Sequence, residues 1–229
     1  MKNLVKILVL LTILSCSNKN DRKVVAIHQN NSPDIKTNEE KIDYIDSSNL
    51  VNDIMYQKKI IEENPEKVEQ LLNDIKIDSI NGKPVTYYLT HPKIANNVKS
   101  FCNGEILPRD DRITFDLLDT LTIVNSELSP YYRFLFNYIG STSDGALSEA
   151  ICSYSLQGLT NNTKLYLDTY IPNRQFLAME FYFVQSDDYL KSIITQLKEN
   201  TDSSYYGRID ELECELKDEI EILLIEESN

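Results

Sequence analysis

The sequence is poor in the residue types on which many active sites depend: of its 229 residues, two are histidine and none is tryptophan. A histidine triad or a multi-histidine metal site would have to use His28 and His91, and neither has a supporting neighbour in the sequence. The HExxH, GxSxG and GxxxxGK patterns are absent, and "GSTSDG" at 140–145 lacks the lysine that contacts phosphate. We therefore predict no metal, no cofactor and no catalytic residue.

Basic clusters and long apolar runs are also missing. The formal net charge is −13, and the basic residues are scattered among a larger number of acids. Phosphate binding needs a clustered basic surface, so this charge pattern argues against nucleic acid as a partner and favours a basic protein. Apolar residues make up 41% and charged residues 26% of the chain, which is typical of a globular protein.

Paired carboxylates are plentiful, for example Asp110–Asp111 and Asp187–Asp188. Both pairs stand in or near the first turn of a predicted helix, where a carboxylate caps free amides and meets the favourable end of the helix dipole. A general acid would also need a pKa raised by burial, which a sequence does not display. A carboxylate-dependent hydrolase of the cell envelope is accordingly the second functional hypothesis.

The N-terminal segment has the organisation of a secretory signal peptide, which we assign to residues 1–15. Lys2 and Lys6 supply positive charge, and Leu4 to Leu14 form an apolar run interrupted only by Lys6 and Thr12. A membrane-spanning helix needs about 20 apolar residues, so this run is too short to be a permanent anchor. Removing residues 1–15 takes away two positive charges and brings −13 to −15.

The residues "ILSC" at 13–16 resemble the lipobox of bacterial lipoproteins, with aliphatic Ile13, small Ser15 and then Cys16. The sequence departs from the commonest pattern in having Ile13 rather than leucine and a bulky Leu14. The resemblance implies that Cys16 is joined to diacylglycerol, becomes the mature N-terminus and receives a fatty acid such as palmitate on its amino group. It further implies a location in the bacterial cell envelope, where we expect the outer rather than the inner membrane.

A polar segment follows the lipobox, so we assign residues 16–38 to a lipidated flexible tether. Such a segment spans roughly 25 Å on average. Only "KVVAI" at 23–27 has the pattern of a short strand. Residues 39–229 form the predicted helical domain.

The helical domain is predicted to be all-α, an irregular arrangement of short to medium helices, with α+β containing a minor sheet as the alternative. Asn64–Pro65 and Ser129–Pro130 have the composition of helix starts, and Gly140 that of a helix end. The run at 176–184 is apolar nearly all round, so it is either a buried helix or a strand; we choose a helix. Apolar residues spaced three or four apart predict a last helix over 204–226.

Three cysteines remain in the helical domain: Cys102, Cys152 and Cys214. One disulfide plus one free thiol, or three reduced and buried thiols, would fit an envelope protein. We favour the second arrangement, since each cysteine lies within an apolar helical pattern.

Two surfaces are predicted to bind a partner. The first is the acidic side of the last helix, with Glu211, Glu215 and Asp218 facing outward together. The second is an exposed aromatic patch formed by Tyr131, Tyr132 and Arg133. Together with the missing motifs, these features favour a lipid-anchored, non-enzymatic binding module. An immunity lipoprotein that neutralises a secreted toxin is a narrower alternative.

Overall fold

The computed structural model describes residues 47–123, 126–169, 174–184 and 186–227. The signal peptide at 1–15, Cys16, and the tether at 16–38 lie outside these residues. The described chain forms an all-α domain of eleven α-helices, one short 3₁₀-helix and a two-stranded hairpin. The elements, in chain order, are α1 (Ser47–Glu63), α2 (Pro65–Asp74), β1 (Ser79–Ile80), β2 (Lys83–Pro84), α3 (Val85–Leu89), α4 (Asn96–Cys102), α5 (Arg112–Ile123), α6 (Ser129–Thr142), α7 (Gly145–Asn161), α8 (Thr163–Asp168), α9 (Arg174–Val184), α10 (Asp187–Glu199), the 3₁₀-helix (Ser203–Tyr205) and α11 (Tyr206–Glu227).

The two proline-marked helix starts are confirmed in position. Asn64 precedes α2 and Pro65 occupies its first turn, although the Asn64 side chain donates back to the carbonyl of Ile60 instead of capping α2. Pro130 likewise lies in the first turn of α6, where its missing N–H leaves no hydrogen bond unmade. The prediction for Gly140 is wrong. Helix α6 continues through this buried residue to Thr142, and Gly140 does not have the positive φ that a helix-ending glycine adopts.

The segment "NGKP" at 81–84 is the turn and second strand of a small hairpin, the minor sheet that the alternative prediction allowed. Ile80 pairs with Lys83 across the turn, and Asn81 and Gly82 both have positive φ, at 49° and 74°. Two such residues in succession are typical of a type I′ turn, whose twist matches that of the strands. The Tyr88 hydroxyl donates to the carbonyl of Ile80 at 2.9 Å and fixes the hairpin to α3.

The buried side chains form two cores. The first contains residues of α2 to α6 and the N-terminal half of α7, from Leu71 to Ile151. The second contains the C-terminal half of α7 together with α8 to α11, from Leu156 to Leu216. Since α7 contributes to both, it is the helix that joins them. Helix α1 is attached to the first core through Gln57, whose amide donates to Asp111 and to the carbonyl of Leu107.

The apolar segment at 176–184 is confirmed as a helix, α9, which packs against both α7 and α11. Leu177, Ala178, Met179 and Phe181 are buried in this position. The last helix is also confirmed, with its start at Tyr206 after a 3₁₀ turn. Its residues Ile209, Leu212 and Leu216 are buried in the second core, and Ile220 and Leu223 pack against that core.

All three cysteines of the helical domain are free thiols, so the favoured arrangement is right about their bonding. It is only partly right about burial. Cys152 is buried and Cys102 half-buried, but Cys214 is exposed, because it lies on the outer side of α11.

Candidate functional site

The outer side of α11 is an acidic surface. Glu211, Asp218 and Glu221 are exposed there, since the spacing of Ile209, Leu212 and Leu216 turns the opposite side into the second core. Among the described residues, no basic group lies within ion-pair distance of these three carboxylates. We call Glu211, Asp218 and Glu221 the acidic face of α11.

The predicted residue Glu215 differs from Glu211 and Asp218. It is half-buried, and its carboxylate forms an ion pair with Arg174 at the start of α9. Two further carboxylates of α11 are also paired: Asp210 lies 2.5 Å from Nζ of Lys198, and Glu213 lies 2.6 Å from Nζ of Lys217. Glu215 therefore holds α11 to α9, and the unpaired charge comes from the acidic face.

Apolar side chains extend the acidic face toward the end of α11. Ile222 and Leu224 are 45% and 50% exposed, one turn beyond Asp218 and Glu221. In a protein interface an apolar centre is surrounded by a polar rim. The exposed apolar residues and the unpaired carboxylates beside them resemble this arrangement more closely than a helix surface that only faces water.

The prediction of an exposed patch at Tyr131, Tyr132 and Arg133 is wrong. These side chains are only 2%, 1% and 7% exposed, because α6 runs through the first core and packs against α5. The Tyr132 hydroxyl accepts from the backbone N–H of Ala95 at 3.0 Å, and the Tyr131 ring stacks on Tyr88 at 5.3 Å. Burial raises the pKa of both tyrosines. The three residues belong to the interior and do not form a contact surface.

A polar cluster that the sequence did not predict surrounds Glu127. Its carboxylate accepts from the Tyr87 hydroxyl, lies 2.6 Å from Nε2 of His91, and lies 3.8 Å from Nζ of Lys83. The hydrogen bond from Tyr87, and after it the one from His91, hold the pKa of Glu127 below its ordinary value. The backbone N–H of Lys93 donates to Nδ1 of His91, so the imidazole directs its other nitrogen toward the carboxylate.

This cluster links the hairpin and α3 to the residues that precede α6. The spacing of Lys83, Tyr87 and His91, four residues apart, is a signal that the sequence contains, but their partner Glu127 lies 36 residues beyond His91. The tyrosine and histidine side chains both contact the carboxylate and so are engaged in a structural hydrogen-bond network. We call this hydrogen-bond network, which joins residues that are distant in the sequence, the clasp at Glu127.

A groove of about 800 Å³ separates α1 and α2 from the junction of α6 and α7. This volume is within the range of small-molecule sites, about 300–1,000 Å³. Both Lys67 and Arg109 line it, as do Asp110, Tyr138 and Asp144. Arg109 is already engaged, because its guanidinium donates to the Tyr56 hydroxyl at 3.0 Å and lies over the Tyr56 ring. The groove therefore has mixed charge.

Asp111, from the first of the two predicted carboxylate pairs, has a structural role. Asp111 accepts from the backbone N–H of Thr114 at 2.8 Å and so caps the start of α5. Within the described parts of the chain, no three side chains of His, Cys, Asp or Glu come together as a metal site would require. None of the helices in those parts has the length and apolar content needed to cross a membrane.

Comparisons of the sequence with protein-family models, with curated proteins and with solved structures found no match.

Proposed function

We propose that the protein is a lipid-anchored component of a bacterial cell envelope that binds a basic protein partner through the acidic face of α11. The observation that carries the proposal is the exposure of Glu211, Asp218 and Glu221 beside Ile222 and Leu224, with no described basic group paired to the three carboxylates. A partner with complementary basic and apolar residues would be attracted by the carboxylates and retained by the apolar contacts.

The lipid anchor is supported by the sequence "ILSC" at 13–16. Each buried methylene contributes about 0.8 kcal/mol, so two or three acyl chains on Cys16 give stable attachment to a membrane. A partner would then meet the protein at the membrane surface, which raises the effective concentration of both.

The hydrolase hypothesis has less support. Glu180 is a half-buried carboxyl whose pKa is raised, and burial is the sole cause of that shift. In a two-carboxylate site the second negative charge, a few ångströms away, would also raise the pKa of the acid. Among the described residues, no second carboxylate contributes to the raised pKa of Glu180.

The proposed interface is tested by charge reversal on α11. After a partner has been isolated from envelope extracts with the wild-type protein, its association rate is measured with wild type and with the variant Glu211→Lys, Asp218→Lys, Glu221→Lys. We expect this triple variant to associate several-fold more slowly at low salt, with a smaller effect at high salt and on dissociation, because exposed charges mainly steer the encounter. Glu215 is left unchanged because its carboxylate pairs with Arg174.

The matched control reverses three exposed glutamates of α1 and α2, Glu62, Glu66 and Glu69, and so produces the same change in net charge. If only the net charge of the protein mattered, both triple variants would slow association equally. Association of the α11 variant at the wild-type rate in low salt would show that its acidic face is only solvated.

A further inference from the structure

A buried arginine lies at the boundary of the two cores, and no carboxylate in the described part of the chain is paired with it. Arg133 projects from α6, and its guanidinium carbon lies 4.0 Å from the centre of the Tyr166 ring on α8. Its side chain is 7% exposed, and its Nε and Nη2 atoms are buried without a hydrogen-bond acceptor. The aromatic face stabilises the cation in part, but it leaves these N–H groups unbonded.

No acid among the described residues compensates this charge. Among the described residues, no Asp or Glu forms an ion pair with Arg133. The adjoining stretches 124–125 and 170–173 contain neither residue type. Arginine stays protonated at any physiological pH, and leaving a charge buried and unpaired is strongly destabilising.

The guanidinium faces a small cavity of about 20 Å³ that is lined by α5, α6, α7 and α8. Its walls include Thr122, Gly158, Asn162 and Tyr166. Gly158 makes room for the guanidinium, because a Cβ at this position would lie 3.4 Å from Nη1 of Arg133. A particle the size of a water molecule needs about 10–15 Å³, so the cavity accommodates one such particle.

The unsatisfied groups at this cavity are mainly hydrogen-bond donors. Arg133 has only donors, and two of its nitrogens are buried without an acceptor. The Tyr166 hydroxyl interacts with the guanidinium, but its own hydrogen is not donated to any described acceptor. The Thr122 hydroxyl donates to the carbonyl of Leu118 at 2.8 Å, so it offers the cavity an uncharged oxygen that does not offset the cation. A water molecule would accept one or two of these donors but leave the positive charge, whereas an anion would satisfy the donors and the charge together.

We propose that this cavity is a binding site for a single monatomic anion of the size of chloride, held by Arg133 and the Tyr166 hydroxyl. An oxyanion such as phosphate has five heavy atoms and exceeds the available volume. The bound anion joins α6 of the first core to α8 of the second, so it stabilises the contact between the two cores.

The site is tested by thermal unfolding of the full-length protein in nonionic detergent, followed by circular dichroism. Sodium chloride is compared with sodium gluconate at equal ionic strength, because gluconate is too large to enter. At a chloride concentration of roughly ten times the dissociation constant, we expect the wild type to melt about 3–6 °C higher in chloride than in gluconate. Excess line broadening of the ³⁵Cl resonance, reversed by bromide, should report the same binding directly.

Replacing Arg133→Met removes the charge and keeps the volume of the side chain, so this variant should melt at the same temperature in both salts and broaden the resonance no more than buffer does. The matched control is Arg112→Met, since Arg112 is a half-buried arginine that is paired with Asp116 away from the cavity, and this variant should keep the full chloride effect. If Arg133→Met does not fold, Tyr166→Phe serves in its place: loss of one donor should move the chloride midpoint to higher concentration.

Three results would overturn the proposal. The first is a wild type that melts at the same temperature in chloride and gluconate and shows no excess broadening. The second is a chloride effect that survives in Arg133→Met, or a midpoint unchanged in Tyr166→Phe. The third is stabilisation by phosphate but not by chloride, which would assign the site to a larger anion.

Discussion

Replacing Gly104 by alanine should destabilise the fold far more than the same replacement at Gly82, although the two glycines have nearly the same backbone conformation. Their φ angles are +73° and +74°. Gly104 follows α4, and a Cβ there would lie 2.7 Å from Cγ1 of Val68 and 3.4 Å from Cδ1 of Leu72, both on α2. A Cβ at Gly82 would meet no described atom within 4 Å beyond its chain neighbours.

The expected magnitudes follow from these two environments. A left-handed conformation costs an alanine about 1–2 kcal/mol, and this cost applies at both positions. Overpacking adds about 1–3 kcal/mol at Gly104 alone. Val68 is β-branched and lies in a helix, where one χ1 rotamer dominates, so it does not rotate away cheaply. We therefore expect losses of about 1–2 kcal/mol for Gly82→Ala and about 2–5 kcal/mol for Gly104→Ala.

Urea unfolding followed by far-UV circular dichroism measures both free energies of unfolding. The double variant Gly104→Ala, Val68→Ala provides a further check, because it removes the methyl group that the new Cβ would contact. Its loss of unfolding free energy should be smaller than the sum of the losses in the two single variants. Equal destabilisation by the two glycine replacements would refute the close packing of Gly104 against α2.

Three further predictions concern other parts of the fold. Leu177→Ala, at a fully buried position, should lower the free energy of unfolding by about 2–5 kcal/mol, whereas Leu224→Ala should change it by about 0.5 kcal/mol or less, as urea titration would show. The Glu127 carboxylate stabilises the fold above its ordinary pKa of 4.5, and this contribution is lost as pH falls through its lower folded-state pKa; Glu127→Gln should therefore lose less stability on acidification. In the native protein a thiol reagent should modify exposed Cys214 quickly and Cys152 only on unfolding, since burial raises the pKa of Cys152 to about 12; equal rates would contradict the packing of α7.

Most of the helical architecture could be predicted because local signals and burial agree along the chain. In α11 the apolar spacing fixes which side is buried, and the same spacing places Glu211 and Asp218 outside. The segment at 176–184 lacks such a contrast, so its pattern alone did not decide between a buried helix and a strand. The predicted helix end at Gly140 was wrong because a glycine ends a helix only where the chain can turn away. Here Gly140 is buried, and α6 continues past it to Thr142.

The parts of the site that the sequence did not predict depend on contacts between distant residues. Arg133 stands among aromatic residues, and nothing in that run shows that α8 will place Tyr166 against its guanidinium. The clasp at Glu127 joins residues 36 to 44 positions apart, and Glu215 is withdrawn from the acidic face by Arg174, 41 positions earlier. Periodicity indicates which side of a helix is buried, but it does not identify the partner.

Lipid attachment at Cys16, which would hold the protein at a membrane, is tested by metabolic labelling with a fatty-acid analogue. The wild type should incorporate label, and the part bound as an amide to the amino group of Cys16 should resist alkaline hydroxylamine, which releases the ester-linked chains of the diacylglycerol. Its mature chain should begin at Cys16. The control Cys214→Ser should behave as wild type, since Cys214 is the exposed thiol of the helical domain. Cys16→Ala should remain unlabelled and uncleaved. Label in Cys16→Ala, together with cleavage after Ser15, would show that Cys16 is not the site of lipid attachment.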